Sequence, residues 1–152
     1  MPTAKLSNPI YGVIEYEDLP RGYIKITNRF PQDHCVLSVF PLIGKKFVHR
    51  EMVQPLYEAL KQIESMLEVD ADCSYIEEFQ VYCPRHQWNL KNKPLSMHAW
   101  ALAFDINPSD NAPGTKGNVP LIVVDSFKAC GFIWGGDWSN LDPMHFELRL
   151  KK

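Results

Sequence analysis

A helical period of apolar residues runs through the second quarter of the chain, over residues 51–67. Apolar side chains recur there three and four positions apart, at Val53, Leu56, Leu60, Ile63 and Leu67. This spacing puts them on one face of an α-helix and leaves Glu58, Lys61 and Glu64 for solvent. Pro55 falls in the first turn, where a proline is tolerated. The pattern predicts an amphipathic helix that packs on a sheet.

Strand patterns come before this helix. Residues 10–16, 22–30 and 35–42 read as strands, and the turn-forming run 18–22 joins the first two. Pro31 and Pro41 mark strand ends. We expect the three strands to pair as a small antiparallel sheet.

Shorter elements follow the helix. Strands are predicted over 75–82, 102–106 and 144–150, and a helix over 121–130, which starts near Asn118 and Pro120 and ends at Gly131. Polar loops fill 84–93 and 107–120. In the last strand His145, Glu147 and Arg149 share one face. With no internal repeat or dividing linker, we expect one α+β domain over 1–152, with an antiparallel sheet and a few packed helices.

Composition narrows the classes of function. The net charge is -2, and no basic patch with interleaved aromatic residues appears, so nucleic acid is excluded as a partner. The longest apolar runs, 36–43 and 121–124, are far shorter than the about 20 residues of a membrane span. Residues 1–8 lack the apolar segment of a secretory signal. We therefore expect a protein made in the cytoplasm without membrane insertion.

The four cysteines are scattered and form no C-x-x-C pair. Cys35, Cys73, Cys83 and Cys130 thus indicate neither a zinc finger nor a disulfide framework. We expect buried thiols, although Cys73 and Cys83 could face each other at the ends of one hairpin.

Candidate chemistry concentrates in two stretches, 96–105 and 142–147. His98 and Asp105 are too far apart for one zinc ion in a straight helix, at about 10 Å, or in a straight strand, at about 23 Å. The chain must therefore turn between them, which the small Ala99 and Ala101 permit. With His145 they make three ligands, and a fourth position left open for water is the pattern of catalytic zinc.

The spaced motifs carry a resemblance to a known family. Ser96-x-His98-x-x-Ala101-x-Ala103-x-Asp105 is followed by 134–138 (Trp-Gly-Gly-Asp-Trp) and by Asp142-x-x-His145-Phe146-Glu147. Together they resemble the zinc peptidases of bacterial cell-wall peptides, which include D-alanyl-D-alanine carboxypeptidases and L-alanyl-D-glutamate endopeptidases of phage lysins. The resemblance covers about 82–149. One departure is Ala101, where the family usually has glycine, and a methyl group there would strain a backbone with positive φ.

The resemblance implies a role for each matched residue. His98, Asp105 and His145 would bind one Zn²⁺ in a surface cleft of a hedgehog or D-Ala-D-Ala peptidase-like fold. Asp142 would be the catalytic carboxylate that activates a zinc-bound water, and Arg85 would stabilise the oxyanion or hold substrate. Ser96 would order the turn before His98 or bind substrate. Glu147 would accept the second N–H of a ligating imidazole. Trp138 is expected to be a core or cleft-wall aromatic that could contact the substrate peptide.

The remaining histidines and a pair of glycines are given structural roles. His34, His49 and His86 match no motif and are expected to be structural or surface residues. Residues 135–136, a pair of glycines, are expected to form a tight turn at the rim of the site.

The function implied is hydrolysis of the stem peptide of peptidoglycan by a monomer that reaches the cell wall after release or by another export route. The first expectation is an L-alanyl-D-glutamate endopeptidase of phage-lysin type. A D-alanyl-D-alanine carboxypeptidase is the alternative within the same chemistry. The alternative of a different class is a non-catalytic zinc domain that binds a wall peptide or a protein partner.

Overall fold

A computed structural model describes residues 4–6, 10–70 and 74–150. The described residues form nine strands in three antiparallel sheets, together with three α-helices. The mixed α+β class and the antiparallel pairing predicted from the sequence are therefore confirmed. Within these described ranges, no helix is long and apolar enough to cross a membrane.

The N-terminal half contains two of the sheets. The first has the order β1 (Ala4–Leu6), β2 (Ile14–Asp18), β3 (Ile24–Ile26). The second is the hairpin of β4 (Cys35–Phe40) and β5 (Gly44–His49). The third predicted strand is thus β4, but the expectation that it joins the first two in one sheet is wrong. It pairs instead with β5. Strand β5 was not predicted from the sequence, because Gly44 and two adjacent lysines interrupt its hydrophobic pattern.

Several predicted strands are shorter than expected, among them 144–150, where only His145–Glu147 form a strand. The prediction for 22–30 holds only for β3, since Phe30 begins the short helix α1 (Phe30–His34) with Pro31 in its first turn. The prediction for 75–82 holds only for β6 (Phe79–Gln80). The buried Asn107 explains the last case: its Oδ1 accepts from the backbone N–H groups of Glu77 and Glu78 at 2.9 and 2.8 Å. A side chain therefore occupies the backbone groups that a partner strand would pair.

The predicted amphipathic helix is present as α2 (Val53–Ser65), preceded by a 3-10 turn at Arg50–Met52. Its buried face consists of Leu56, Ala59, Leu60 and Ile63. That face packs against α3 (Leu121–Ala129) and β4, so the helix rests on another helix as well as on a strand. The predicted end of α3 at Gly131 is confirmed by a positive φ of 99° there.

The third sheet has the order β6, β7 (Ala103–Ile106), β9 (His145–Glu147), β8 (Ile133–Trp134). Phe104 of β7 is fully buried and stacks on Phe79 and Phe146, with ring centroids 4.5 and 5.3 Å apart. It also contacts Phe127 of α3 at 4.9 Å. This aromatic cluster holds β7 and β9 against α3 from one side, and the opposite faces of the same strands carry the polar residues of the site.

The cysteine predictions have a mixed outcome. Cys35 is buried, and burial raises the pKa of its thiol to about 12. Cys83 and Cys130 are free thiols that are only half-buried. The possible pairing of Cys73 with Cys83 lies outside the described residues, because Cys73 is not among them.

Candidate metal centre and cleft

The register of β7 against β9 places Asp105 directly opposite His145. Directly opposed residues of antiparallel strands have Cβ atoms about 4.5–5.5 Å apart. Both side chains lie on the face away from the aromatic cluster, and they are 9% and 6% exposed. Two residues forty positions apart in the sequence are thereby fixed side by side.

His98 reaches the same place from a 3-10 turn over Met97–Trp100. Ser96 caps this turn, since its Oγ accepts from the backbone N–H of His98 at 3.2 Å. Ala101 then adopts a left-handed conformation, with φ 56° and ψ 35°, and turns the chain into β7. The predicted turn between His98 and Asp105 is confirmed. Ala101 occupies the family's glycine position and has positive φ. Because alanine carries a Cβ, this left-handed backbone conformation costs about 1–2 kcal/mol.

The three side chains leave a gap that fits a zinc ion. Asp105 Oδ1 lies 3.3 Å from His98 Nε2 and 3.4 Å from His145 Nδ1. Ligand atoms about 2.0–2.1 Å from a tetrahedral zinc are separated from each other by about 3.3–3.4 Å. His98 Nε2 and Asp105 Oδ1 are buried and have no hydrogen-bond partner. His98, Asp105 and His145 could therefore hold a metal ion.

The other imidazole nitrogens have partners that orient the rings. His98 Nδ1 lies 2.7 Å from the carbonyl oxygen of Val81, to which it donates. His145 Nε2 lies 2.9 Å from Glu147 Oε1. In metal sites, such acceptors fix the tautomer that directs the remaining nitrogen lone pair at the ion. Glu147 stands where the resemblance placed an acceptor.

Charge and burial act in opposition on these groups. Burial raises the pKa of the Asp105 carboxyl, but its contacts with His145 and His98 outweigh burial and hold that pKa far below 3.8. Burial lowers the pKa of His145, whereas Asp105 and Glu147 outweigh it and raise that pKa to about 9. The carboxylates of Asp105 and Glu147 thus stabilise positive charge on the buried His145 ring. The same negative charges would stabilise a metal cation bound beside it.

Asp142 lies at the same centre without sharing a strand with His145. Its Oδ1 is buried and has no partner. Burial raises the pKa of its carboxyl, and the charge of Asp105 adds to this, while His145, Arg85 and His98 oppose it. A carboxylate with a raised pKa and a free oxygen is suited to take up a proton.

The predicted glycine turn holds Asp142 in place. Gly135 opens a 3-10 turn (Gly135–Asp137), and its carbonyl oxygen accepts from the backbone N–H of Asp142 at 3.0 Å. A Cβ at Gly135 would lie 2.4 Å from the carbonyl oxygen of Asp142. Only glycine permits this approach, so the turn positions the carboxylate as well as shaping the rim.

A cleft of about 980 Å³ opens over the centre. Its lining includes seven residues singled out from the sequence: Arg85, Ser96, Asp105, Trp138, Asp142, His145 and Glu147. The Trp138 ring lies 5.3 Å from that of His145. Arg85 is half-buried, and its positive charge lowers the pKa of Asp142. His98 closes the floor, where it is 1% exposed.

Two lining residues were missed as candidates. Trp88 stands in a 3-10 turn with φ 56°, is 41% exposed and lines the cleft. Arg149 also lines the cleft, and its Nε donates to Glu147 Oε2 at 2.8 Å. The sequence carried a signal for Arg149, because it shares the strand face of His145 and Glu147.

The remaining histidines make structural contacts, as expected. His86 is buried between Asp18 Oδ1 and the Lys93 carbonyl oxygen, each 2.7 Å from a ring nitrogen. His49 Nδ1 accepts from the backbone N–H of Glu51 at 3.1 Å, which caps the turn before α2. His34 stacks on the rings of Phe30 and His49.

Comparison with known protein families finds a match for the second part of the chain. Residues 90–148 match a family model described as D-alanyl-D-alanine carboxypeptidase. The matched segment contains His98, Asp105, Asp142 and His145, and the match confirms the resemblance to the zinc D-Ala-D-Ala peptidases. Comparison with curated proteins and with solved structures gives no match.

Proposed function

We propose that this chain, whose residues 90–148 match the D-alanyl-D-alanine carboxypeptidase family model, is a zinc-dependent hydrolase of the peptidoglycan stem peptide. The observation that carries the proposal is that three buried polar atoms of the site, His98 Nε2, Asp105 Oδ1 and Asp142 Oδ1, have no hydrogen-bond partner. Buried polar atoms are almost always paired in folded proteins. Three such unpaired atoms in the site beneath a cleft support a bound cation beside a reacting group.

His98, Asp105 and His145 would hold the zinc ion, and Asp142 would act beside it. When bound, zinc acidifies water and polarises a carbonyl group. Asp142 would accept the proton of the attacking water and return it to the leaving amine, a task suited to its raised pKa. Arg85 would offset the negative charge that develops on the carbonyl oxygen, a contribution of about 3 kcal/mol for one well-placed donor.

The size of the cleft favours an endopeptidase. Its about 980 Å³ is at the upper end of the about 300–1,000 Å³ typical of ligand sites, and it is lined mainly by the segments 85–97 and 137–149, together with Asp105 and Pro113. A cleft of this size has room for several residues of an extended peptide, which an endopeptidase must bind. L-alanyl-D-glutamate cleavage of the phage-lysin type, by a monomeric single-domain protein in a D-Ala-D-Ala peptidase-like fold, is therefore the activity we put forward. The protein would act at the wall after release or export by another route.

Two alternatives rest on particular features. A D-alanyl-D-alanine carboxypeptidase would need a cation for the terminal carboxylate, and the cleft offers Arg85 and Arg149. A non-catalytic zinc domain would bind wall peptide without turnover. The buried, unpaired Oδ1 of Asp142 favours the enzyme, because a purely structural aspartate would be paired.

Digestion of purified peptidoglycan tests the proposal. The zinc-loaded protein is incubated with the wall, with and without a chelator, and fragments are identified by mass spectrometry. New ends at L-Ala and D-Glu are expected for the endopeptidase, and release of single D-Ala would establish the carboxypeptidase. Absence of any chelator-sensitive product from several wall types, despite one bound zinc, would instead support the binding domain.

A further inference from the structure

Arg149 is a second guanidinium group in the cleft, and the endopeptidase mechanism proposed above gives it no task. Of the described residues that line the cleft, Arg85 and Arg149 are the arginines. Arg85 stands near Asp142, where it is proposed to offset developing charge. Arg149 follows β9, the strand of His145 and Glu147, and its side chain is 57% exposed.

One edge of the Arg149 guanidinium is fixed and the rest is available. Its Nε donates to Glu147 Oε2 at 2.8 Å, and the Glu147 side chain is only 7% exposed. Four of the five guanidinium N–H groups belong to Nη1 and Nη2. Neither makes a hydrogen bond to the residues that the structure describes. A guanidinium anchored in this way loses little further freedom when it binds a planar anion.

The balance of charge in the cleft calls for an anion. A divalent ion balances the two aspartates of the metal centre, and Lys128 Nζ lies 2.7 Å from Asp137 Oδ2. Glu147 balances one of the two guanidinium groups. With the ion bound, and with Lys128 counted although it lies outside the lining, these groups together carry one positive charge in excess, which a substrate carboxylate would complement.

The distance from the metal centre limits where this carboxylate lies in the substrate. Two hydrogen bonds, from His145 Nε2 to Glu147 and from Glu147 to Arg149, link the imidazole to the guanidinium. Together with one imidazole ring and one carboxylate, this path is no longer than roughly three residues of extended peptide. A group bound by Arg149 is therefore close to the bond that is cut.

We infer that Arg149 binds a free carboxylate of the substrate peptide, within roughly three residues of the scissile bond. The inference rests on the proposed peptidase function and specifies its substrate class as an acidic peptide. Two sources can provide this group. A D-glutamyl residue linked through one of its carboxyl groups keeps the other free, and a peptide C-terminus carries its own.

Two pairs of synthetic stem peptides distinguish these sources. In the first pair the free carboxyl group of D-Glu is intact or amidated, and in the second pair the C-terminus is intact or amidated. Steady-state kcat and KM are measured for the unsubstituted protein, Arg149→Gln and Arg149→Lys. In one of the pairs we expect the unsubstituted protein to cleave the peptide with the free carboxylate at least about tenfold better in kcat/KM than its amidated partner, or about 1.4 kcal/mol. This difference should lie in KM. Arg149→Gln should abolish the preference and Arg149→Lys should keep part of it.

A matched control separates this role from a general effect of charge. Arg29 also pairs with a carboxylate, Asp33, but its side chain is 75% exposed and it does not line the cleft. Arg29→Gln should leave the preference unchanged. The zinc affinity of Arg149→Gln is measured alongside, because a purely structural role through Glu147 would lower zinc affinity without changing the preference between peptides.

The outcomes separate failure of the inference from failure of the proposed function. A carboxylate preference that survives in Arg149→Gln, or no preference in the unsubstituted protein, would overturn the inference while leaving a peptidase. If no peptide is cut, the peptidase proposal fails, and calorimetric binding of the same peptides to the zinc-loaded protein then decides. Carboxylate-dependent binding that Arg149→Gln removes would support the site, and equal binding of carboxylate and amide would exclude it.

Discussion

Glu147→Gln perturbs the metal centre without touching a metal-facing atom. Glu147 Oε1 lies 2.9 Å from His145 Nε2, and Oε2 accepts from Arg149 Nε at 2.8 Å. Contacts with His145 and Arg149 hold the pKa of Glu147 below 4.5 against the opposing effect of burial, so the group is a carboxylate. Glutamine keeps the shape and one acceptor oxygen. Its amide nitrogen, however, must face either the imidazole N–H or the guanidinium, which are both donors.

Two effects determine the size of the loss. A hydrogen bond to a charged acceptor contributes about 1.5–3 kcal/mol, against about 0.5–1.5 for a neutral one, so removing the charge costs about 1–1.5 kcal/mol. The glutamine N–H group that faces another donor adds up to about 1 kcal/mol more. This is the low end of the cost of an unsatisfied donor, because the half-exposed Arg149 can turn towards water. The sum corresponds to a zinc affinity lower by about 10- to 100-fold, as for other acceptors of ligand histidines.

The assay is competition for zinc with a chromophoric chelator, together with circular dichroism to verify folding. Glu58→Gln is the matched control, since Glu58 lies on the exposed face of α2 and accepts a hydrogen bond from Gln54 at 2.9 Å. Its zinc affinity should equal that of the unsubstituted protein. If folded Glu147→Gln bound zinc within about threefold of the unsubstituted protein, the carboxylate would not orient His145 as argued.

Three further predictions follow from single contacts. Asp142→Asn should bind zinc normally and lose about 10²–10⁴-fold in kcat, and near-normal turnover would show that another group takes the proton. Gly135→Ala places a methyl carbon 2.4 Å from the Asp142 carbonyl oxygen, so peptide cleavage should fall at least about tenfold with zinc still bound, whereas unchanged kcat would refute this positioning. Burial lowers the pKa of His49 below 6.5, opposed by its bond to the Tyr11 carbonyl oxygen and by Glu51, with His34 and Arg50 adding to the lowering. Its contribution to stability is therefore complete above pH 6.5 and is lost as the pH falls through the lowered pKa. His49→Asn, which keeps a capping oxygen, should flatten the fall in the free energy of unfolding measured by urea titration, and an unchanged slope would assign that fall to other groups.

The sequence predicted the grouping of the three candidate ligands because metal chemistry restricts how such residues can be arranged. Seven positions separate His98 from Asp105, and only a turn brings them to one ion, which the Ser96 cap and the left-handed Ala101 supply. The pairing that places Asp105 opposite His145 could not be derived, because strand partners forty residues apart leave no periodic signal. The roles assigned to Asp142 and Arg85 remain proposals.

The N-terminal half was predicted less well for identifiable physical reasons. Hydrophobic alternation located β2 and β4 but not which strands pair, and β5 contains two adjacent lysines that obscure its period. Asn107 takes up the backbone groups of Glu77 and Glu78 through its side chain, an interaction that no local pattern indicates. Amphipathic α2 was found because its burial follows directly from a 3.6-residue period.

The metal-binding claim is most directly tested by measuring zinc stoichiometry and coordination together. Metal analysis and X-ray absorption of the purified protein are expected to give one zinc per chain with nitrogen and oxygen ligands at about 2.0–2.2 Å, and His98→Ala should remove it. A protein that binds no zinc, or binds it equally well after His98→Ala, or shows sulfur ligands, would contradict the site formed by His98, Asp105 and His145.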